Sequence, residues 1–325
     1  MRDPWGREIT CLRLSITERC NLRCVYCQPA VGIRLVPKSE VLTYGEIIRV
    51  VRCLVESAGL ARVRITGGEP LVRPSLLSLI ERLARLDLEE LTLTTNGQLL
   101  APLAKALKEA GIRRVNISID TLRPDLFENL TRGGDLGRTL EGIEAALAAG
   151  LTPVRLNVVL MKGWNDEEVV EFVRYALDRG LEVRFLELMP IGRPGLLHSE
   201  RFVSMASAVE RLREGFQLTE LSRFPGTTSI PYRVSDGNGR TGGIGFIAPV
   251  TRPFCNECGR LRLSATGILR GCLMHREGSD LKSVLRDSTR GGGEAGLLRG
   301  VREAIGRKPW AGHMESTEGM YRLGG

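Results

Sequence analysis

The sequence predicts an α/β protein: an open, partial barrel of six strand–helix units, followed by a smaller α+β domain. Three observations predict it. Short β-branched or apolar runs alternate with helical patterns through the first two-thirds of the chain. Two of those runs end in glycine-bearing polar signatures, Thr66-Gly67-Gly68-Glu69-Pro70 and Thr94-Thr95-Asn96-Gly97. The pattern then changes after Pro190.

The strand patterns fall at Cys11 to Thr17, Arg62 to Thr66, Leu91 to Thr95, Val115 to Ile119, Val154 to Met161 and Val183 to Leu188. Helical patterns lie between them at Tyr44 to Ser57, Pro74 to Arg85, Ala101 to Ala110, Gly137 to Ala149 and Asp166 to Arg179. Strands joined by helical crossovers form a parallel sheet with right-handed connections. Six units are too few for a closed eight-stranded barrel. In such sheets the loops after the strands carry the ligand sites. These elements make a first domain of residues 1–190 and a second of 191–325. The second opens on the linker Gly192-Arg193-Pro194-Gly195. A helix over Val203 to Glu214 follows, then strands at Tyr232 to Val234 and Gly243 to Ala248. Leu261 to Ser264 and Ile268 to Arg270 read as a hairpin turning at Ala265-Thr266-Gly267. Two further helical segments close the chain, with Gly291-Gly292-Gly293 as a flexible connector.

A chain of 325 residues can bury a large core. No segment approaches the ~18 to 20 apolar residues of a membrane span, and the first residues lack a signal peptide's apolar stretch. A cytoplasmic protein with no membrane partner is the expectation. Eight Cys in that setting argue for metal or redox chemistry rather than disulfides. The net charge of +8 is carried mostly by Arg and spread along the chain. That favours a phosphorylated small molecule over nucleic acid, as does an aromatic content of only 5%.

Cys20-Asn-Leu-Arg-Cys24-Val-Tyr-Cys27 supplies three thiolates on one tight loop. A four-iron cube is usually held by four Cys, so three leave one iron open. Zinc would need a fourth Cys or His nearby, and none follows on this loop. The second set is Cys255-Asn-Glu-Cys258 with Cys272 thirteen residues on. Three ligands again suggest an iron–sulfur cluster, with zinc and His275 as the alternative. Arg260 and Arg262, two apart on a strand, share a face and offer fixed bidentate donors. Cys11 and Cys53 read as buried structural thiols. His198, His275 and His313 belong to no motif of their own.

The Cys-x3-Cys-x2-Cys spacing, with Tyr26 before its last Cys, resembles the radical S-adenosylmethionine (SAM) superfamily. Arg13-Leu-Ser-Ile-Thr-Glu-Arg-Cys20-Asn, Gly67-Gly68-Glu69-Pro70, the second cysteine set and the terminal Gly324-Gly325 together resemble the GTP 3′,8-cyclase family. The likeness runs from about Cys11 to Leu273. It implies the first step of molybdenum cofactor biosynthesis, with two [4Fe–4S] clusters and SAM as cofactors and GTP as substrate. Cys20, Cys24 and Cys27 would hold the cluster that chelates SAM. Cys255, Cys258 and Cys272 would hold the one that meets the purine. Tyr26, Gly68, Ser118 and Met189 match the family's SAM contacts. Arg13, Arg64, Thr94, Arg155, Arg260, Leu261 and Arg262 match its GTP contacts. Arg13, Arg260, Arg262, Gly324 and Gly325 would take part in catalysis, the two glycines reaching into the site through backbone alone.

By the same resemblance, a 5′-deoxyadenosyl radical takes hydrogen from C3′ of GTP. The carbon radical closes on C8, and a further electron and a proton give 3′,8-cyclo-7,8-dihydro-GTP. The implied partners are an electron donor such as a flavodoxin or ferredoxin and a downstream pyranopterin-forming enzyme, with a homodimer left open. Arg155 and Arg62 depart from the pattern, standing where Lys is usual, so their charge is kept and their geometry is not. A peptide-modifying radical SAM enzyme would usually carry more C-terminal Cys and lack the Arg-x-Arg. A zinc-dependent nucleic-acid-binding module would need a basic stripe interleaved with aromatics.

Overall fold

Alternating polarity along short strands sets the architecture. In the computed structural model, residues 1–191, 195–223, 226–287 and 293–312 are described. Strands β1 (Cys11–Ser15), β2 (Arg62–Thr66), β3 (Glu90–Thr95), β4 (Arg114–Ser118), β5 (Arg155–Leu160) and β6 (Glu182–Glu187) lie side by side, all parallel. Between them run α1 (Tyr44–Ala58), α2 (Leu76–Ala84), α3 (Ala104–Ala110), α4 (Pro124–Thr131), α5 (Leu136–Ala148) and α6 (Val169–Arg179). This is the partial barrel that the sequence predicts.

Each helix has a local reason for its limits. Thr43 and Glu46 form a reciprocal capping box at the start of α1, and Gly59 ends it in the left-handed conformation. Ile47, Ile48, Val50, Val51, Leu54 and Ala58 make its buried stripe. The expected helix from Pro74 starts later, at Leu76, because Ser75 turns the chain at φ 58°. The one expected from Asp166 starts at Val169. Helix α4 was not foreseen. It has only eight residues, begins with Pro124 in its first turn, and buries just Phe127, Leu130 and Thr131.

Among the described residues, those after 191 build no sheet of their own. Helices α7 (Gly195–Arg201) and α8 (Met205–Arg213) lead into β7 (Gln217–Glu220), β8 (Ile230–Ser235) and β9 (Thr241–Ile247). Then come β10 (Arg260–Leu263), β11 (Ile268–Arg270), β12 (Ser279–Asp280), α9 (Leu281–Arg286) and α10 (Gly293–Gly306). The sheet order is β12-β11-β10-β1-β2-β3-β4-β5-β6-β9-β8-β7. C-terminal strands therefore extend both edges of the parallel sheet, β9 beside β6 and β10 beside β1. The hairpin β10–β11 is the expected one, with Gly267 at φ 88° in its turn. Gly195 opens α7 rather than closing a linker, and Gly293 opens α10. Residues 192–194, Gly291, Gly292, His313, Gly324 and Gly325 lie outside the described residues.

Leu12, Leu14, Val63, Ile65, Leu91, Leu93, Val115 and Ile117 join the helices in one aliphatic core. Period-two alternation turns the intervening residues to the other face. Those are Arg13, Arg62, Arg64, Thr92, Thr94, Arg114, Asn116, Ser118, Arg155, Asn157, Glu182 and Arg184. The inner face is thus polar and rich in Arg. Cys11 and Cys53 are half-buried, less enclosed than expected. Cys11 stands on that inner face, and Cys53 lies on the flank of α1 against Ser57.

Helix α5 meets the loop after β3 with no room to spare. A Cβ on Gly142 would stand 2.6 Å from the Gly97 carbonyl oxygen. Gly142→Ala is expected to lower stability by roughly 1–2 kcal/mol, since overpacking against backbone outweighs the helix-propensity gain. Urea unfolding checks this, and an unchanged or raised midpoint would contradict the close contact.

Candidate active site

Strand direction separates the two cysteine sets. Cys20, Cys24 and Cys27 follow the carboxyl end of β1. Cys255 and Cys258 precede β10, which runs parallel to β1 with Arg260 beside Cys11. Strand β11 returns antiparallel and delivers Cys272 to the same end as Cys258. One set therefore sits at each end of the strands. Both line a single cavity of about 680 Å³.

The first loop is fastened from several sides. Gly68 N–H donates to Thr17 O at 2.7 Å, and Glu69 N–H to Arg19 O at 2.8 Å. A Cβ on Gly68 would stand 2.4 Å from Arg19 O. That contact, close packing of the chain on the cysteine loop, is what requires glycine here. Glu69, buried, accepts from Leu71 N–H, Asn96 N–H and the Thr95 hydroxyl. Burial pushes its carboxyl up to about 7 against these donors. Tyr26 O–H donates to Asp120 at 2.7 Å, and Val159 N–H donates to the other oxygen of Asp120 at 2.9 Å. Sequence reasoning passed over Asp120 because one acid after a strand carries no spacing signal.

The thiols suit a cationic cluster. Burial pushes Cys20 up to about 11. Burial, Asp120 and the two neighbouring thiols hold Cys24 well above its ordinary value. A metal centre would compensate thiolates formed at Cys20 and Cys24. At the other end burial would raise the Cys258 thiol, but Arg260 and Lys308 outweigh it and bring it down to about 6. Among the described residues no three His, Cys, Asp or Glu side chains stand together as ligands of one ion.

Between the cysteine sets stand the arginines. Arg13 on β1 is flanked in register by Arg262 on β10 and Arg64 on β2. All three line the cavity with Arg260 and Arg184. Arg260 also stacks over Phe254, 4.8 Å from the ring centre. The Nε atoms of Arg13, Arg64 and Arg184 are buried without a partner. Burial first, then Arg262, Arg64 and Arg260, holds Arg13 well below its ordinary value. Burial and Arg260 lower Arg262 to about 9. Burial lowers Arg64 to about 10, and burial with Arg155 lowers Arg184 to about 9. Guanidiniums crowded this way call for a polyanion.

The sequence-predicted positions divide accordingly. Tyr26, Gly68, Thr94, Ser118, Met189, Arg13, Arg64, Arg260, Arg262 and all six Cys line the cavity. Met189 packs against Ile191 and Met274. Arg155 does not line it; its guanidinium pairs with Glu182, as Arg114 pairs with Glu90 at 2.6 Å. Leu261 is fully buried in the aliphatic core, on the face opposite Arg260 and Arg262. Arg184 was missed. Its signal was the charged, alternate positions Glu182 and Arg184 in an otherwise apolar run.

The Radical SAM superfamily model matches residues 14–176, and the Molybdenum Cofactor Synthesis C model matches residues 181–314. The solved structure of Streptococcus suis SuiB bound to S-adenosylmethionine has a TM-score of 0.59 at 16% identity, covering 91% of this chain and 68% of that one. Fold and cysteine loop thus define a radical SAM protein, a class that works with SAM and an iron–sulfur cluster. The GTP 3′,8-cyclase of Pelotomaculum thermopropionicum is 44% identical, with all of both chains covered. That of Moorella thermoacetica is 42% identical, again with all of both chains covered. The chain belongs to the GTP 3′,8-cyclase family. Among the described residues no helix is long and apolar enough to cross a membrane.

Tyr26→Phe tests the tie between the cysteine loop and β4. Burial raises Asp120 to about 6, against the Val159 N–H and the Tyr26 hydroxyl. The native state therefore holds a proton that the unfolded chain has released. The stability from that protonation is full below about pH 3.8 and is lost as pH rises through about 6. Removing the phenol takes away a donor to the ionised form, so the loss should extend to higher pH. At pH 7 the variant should be about 1–2 kcal/mol less stable. Urea unfolding of metal-free protein from pH 4 to 8 measures this, and a deficit independent of pH would contradict the role given to Asp120.

Proposed function

We propose that this chain converts GTP to 3′,8-cyclo-7,8-dihydro-GTP in the first step of molybdenum cofactor biosynthesis. The observation that carries this reading is the row of buried arginines, Arg13, Arg64, Arg184, Arg260 and Arg262, crowded together between two three-cysteine sites in one cavity. A triphosphate supplies the missing negative charge, and a purine has acceptors that suit a guanidinium fork. Family membership supports the same reading.

In this proposal Cys20, Cys24 and Cys27 hold one four-iron cluster and Cys255, Cys258 and Cys272 hold a second. With SAM bound, the first supplies a carbon radical able to take hydrogen from C3′ of the ribose. The rest is positioning and exclusion. Tyr26, Gly68, Ser118 and Met189 line the SAM end, with Gly68 fixing the loop against the cysteine segment. Arg13, Arg64 and Arg184 receive the phosphates, and Thr94 offers a hydroxyl beside them. Arg260 and Arg262, nearest Cys258, hold the purine, with Leu261 seating that strand in the core. Arg155, paired with Glu182, adds charge at the margin rather than a direct bond. The proposal extends to Gly324 and Gly325, whose backbone would complete the site. A one-electron donor such as flavodoxin or ferredoxin, a downstream pyranopterin-forming enzyme and a cytoplasmic setting follow from the same chemistry.

Two experiments test it. Reconstituted protein should bind about eight irons, and replacing Cys20, Cys24 and Cys27 by Ala should leave about four and abolish SAM cleavage. Replacing the other three Cys should keep some uncoupled SAM cleavage but no cyclisation. A first-set variant that still cleaves SAM would overturn this division. Arg262→Ala should weaken GTP binding by about 1.5–3 kcal/mol, with Lys rescuing only part. Anaerobic calorimetry reads this, and unchanged affinity would remove Arg262 from the site.

A further inference from the structure

Lys308 stands behind the second cysteine set and no motif pointed to it. It is only 3% exposed. Its ammonium donates to the carbonyls of Gly271 and Arg260, the latter at 2.9 Å, and lies 3.7 Å from Cys258 Sγ. Those carbonyls flank Cys272 and Cys258 in the chain, so one cation ties both ligand-bearing strands together. Among the described residues its hydrogen-bond partners are these two carbonyls and the Cys258 thiol, with no carboxylate among them. A buried ammonium without a carboxylate is costly unless another anion faces it.

The position is built. Arg7 is buried in an ion pair with Asp3 at 2.6 Å. Its guanidinium also donates to the carbonyls of Cys255, Pro309 and Trp310. The segment carrying Lys308 is thereby clamped to the second cysteine loop from the other side. Gly312 continues this clamp, where a Cβ would stand 3.2 Å from Cys272 Sγ.

We infer that Lys308 is the resident countercharge of the second cluster, and that it sets how readily that cluster accepts an electron. This assignment rests on the two-cluster reading above. A cation beside the thiolates stabilises the reduced, more negative form, as hydrogen bonds and charge at the sulfurs tune such potentials.

The test uses full-length protein with Cys20, Cys24 and Cys27 replaced by Ala, so that only the second site binds iron. Its iron content comes first: no iron there would refute the two-cluster reading itself. With iron present, the reduction potential is followed by electron paramagnetic resonance in the Lys308, Lys308→Arg and Lys308→Met forms. Lys308→Met should shift the reduction equilibrium at least tenfold toward the oxidised form, about 59 mV for one electron. Lys308→Arg should stay near the parent. A Met variant that loses its cluster while the Arg variant keeps it also supports the countercharge. An unchanged potential in Lys308→Met, or equal loss of iron from both variants, would overturn it.

Discussion

The structure depends on one electrostatic constraint: a parallel sheet whose inner face is lined with buried guanidiniums. Period-two alternation leaves no choice about their direction. If Leu12 and Leu14 pack under the helices, Arg13 must face inward. The same holds for Arg64 on β2 and Arg184 on β6. Some of this charge is neutralised within the protein, by Glu90 for Arg114 and Glu182 for Arg155. Glu182 also reaches Arg184 at 3.5 Å, while Arg13 and Arg64 face the cavity with buried Nε atoms that lack a partner. Of the acids that line it, Glu187 is engaged by Met205, Val250 and Thr251, and Asp120 by Tyr26 and Val159. A bound polyanion therefore completes the interior as a charge-balanced unit.

Topology then gives that charge its neighbours. Because β10 joins the edge of the sheet beside β1, Arg262 stands in register with Arg13. The cysteines before β10 close one end of the same cavity that Cys20, Cys24 and Cys27 close at the other. Were the C-terminal strands a separate sheet, the two cysteine sets would have no fixed relation. Sharing one hydrogen-bonded sheet fixes the distance between them, and with it the placement of anything bound between. The clamp from Asp3 and Arg7 to Pro309 and Trp310 holds the far end.

Much of this was legible in the sequence because strand period and cysteine spacing are local signals. All six inner strands and the β10–β11 hairpin follow from them. So do both cysteine sets and the shared face of Arg260 and Arg262, whereas Arg13 and Arg64 were singled out by the family resemblance. What was not legible depends on contacts distant in the chain. Arg155 carries the same strand signal as Arg64, yet its neighbour Glu182 claims it. Gly68 is required by the backbone of Arg19, a packing partner that no spacing rule exposes. Lys308 acquires its place only when the chain's end returns to Cys258. The continuity of the sheet was hidden for the same reason, since strand pairing across such separations leaves no periodic trace.

The central claim is that one cavity brings the SAM end and the nucleotide end within reach of each other. Anaerobic turnover with SAM, dithionite and GTP carrying deuterium at C3′ tests it most directly. Mass analysis of the 5′-deoxyadenosine formed should find the deuterium there, together with a cyclised nucleotide. Recovery of 5′-deoxyadenosine without deuterium, with GTP unchanged, would contradict the account.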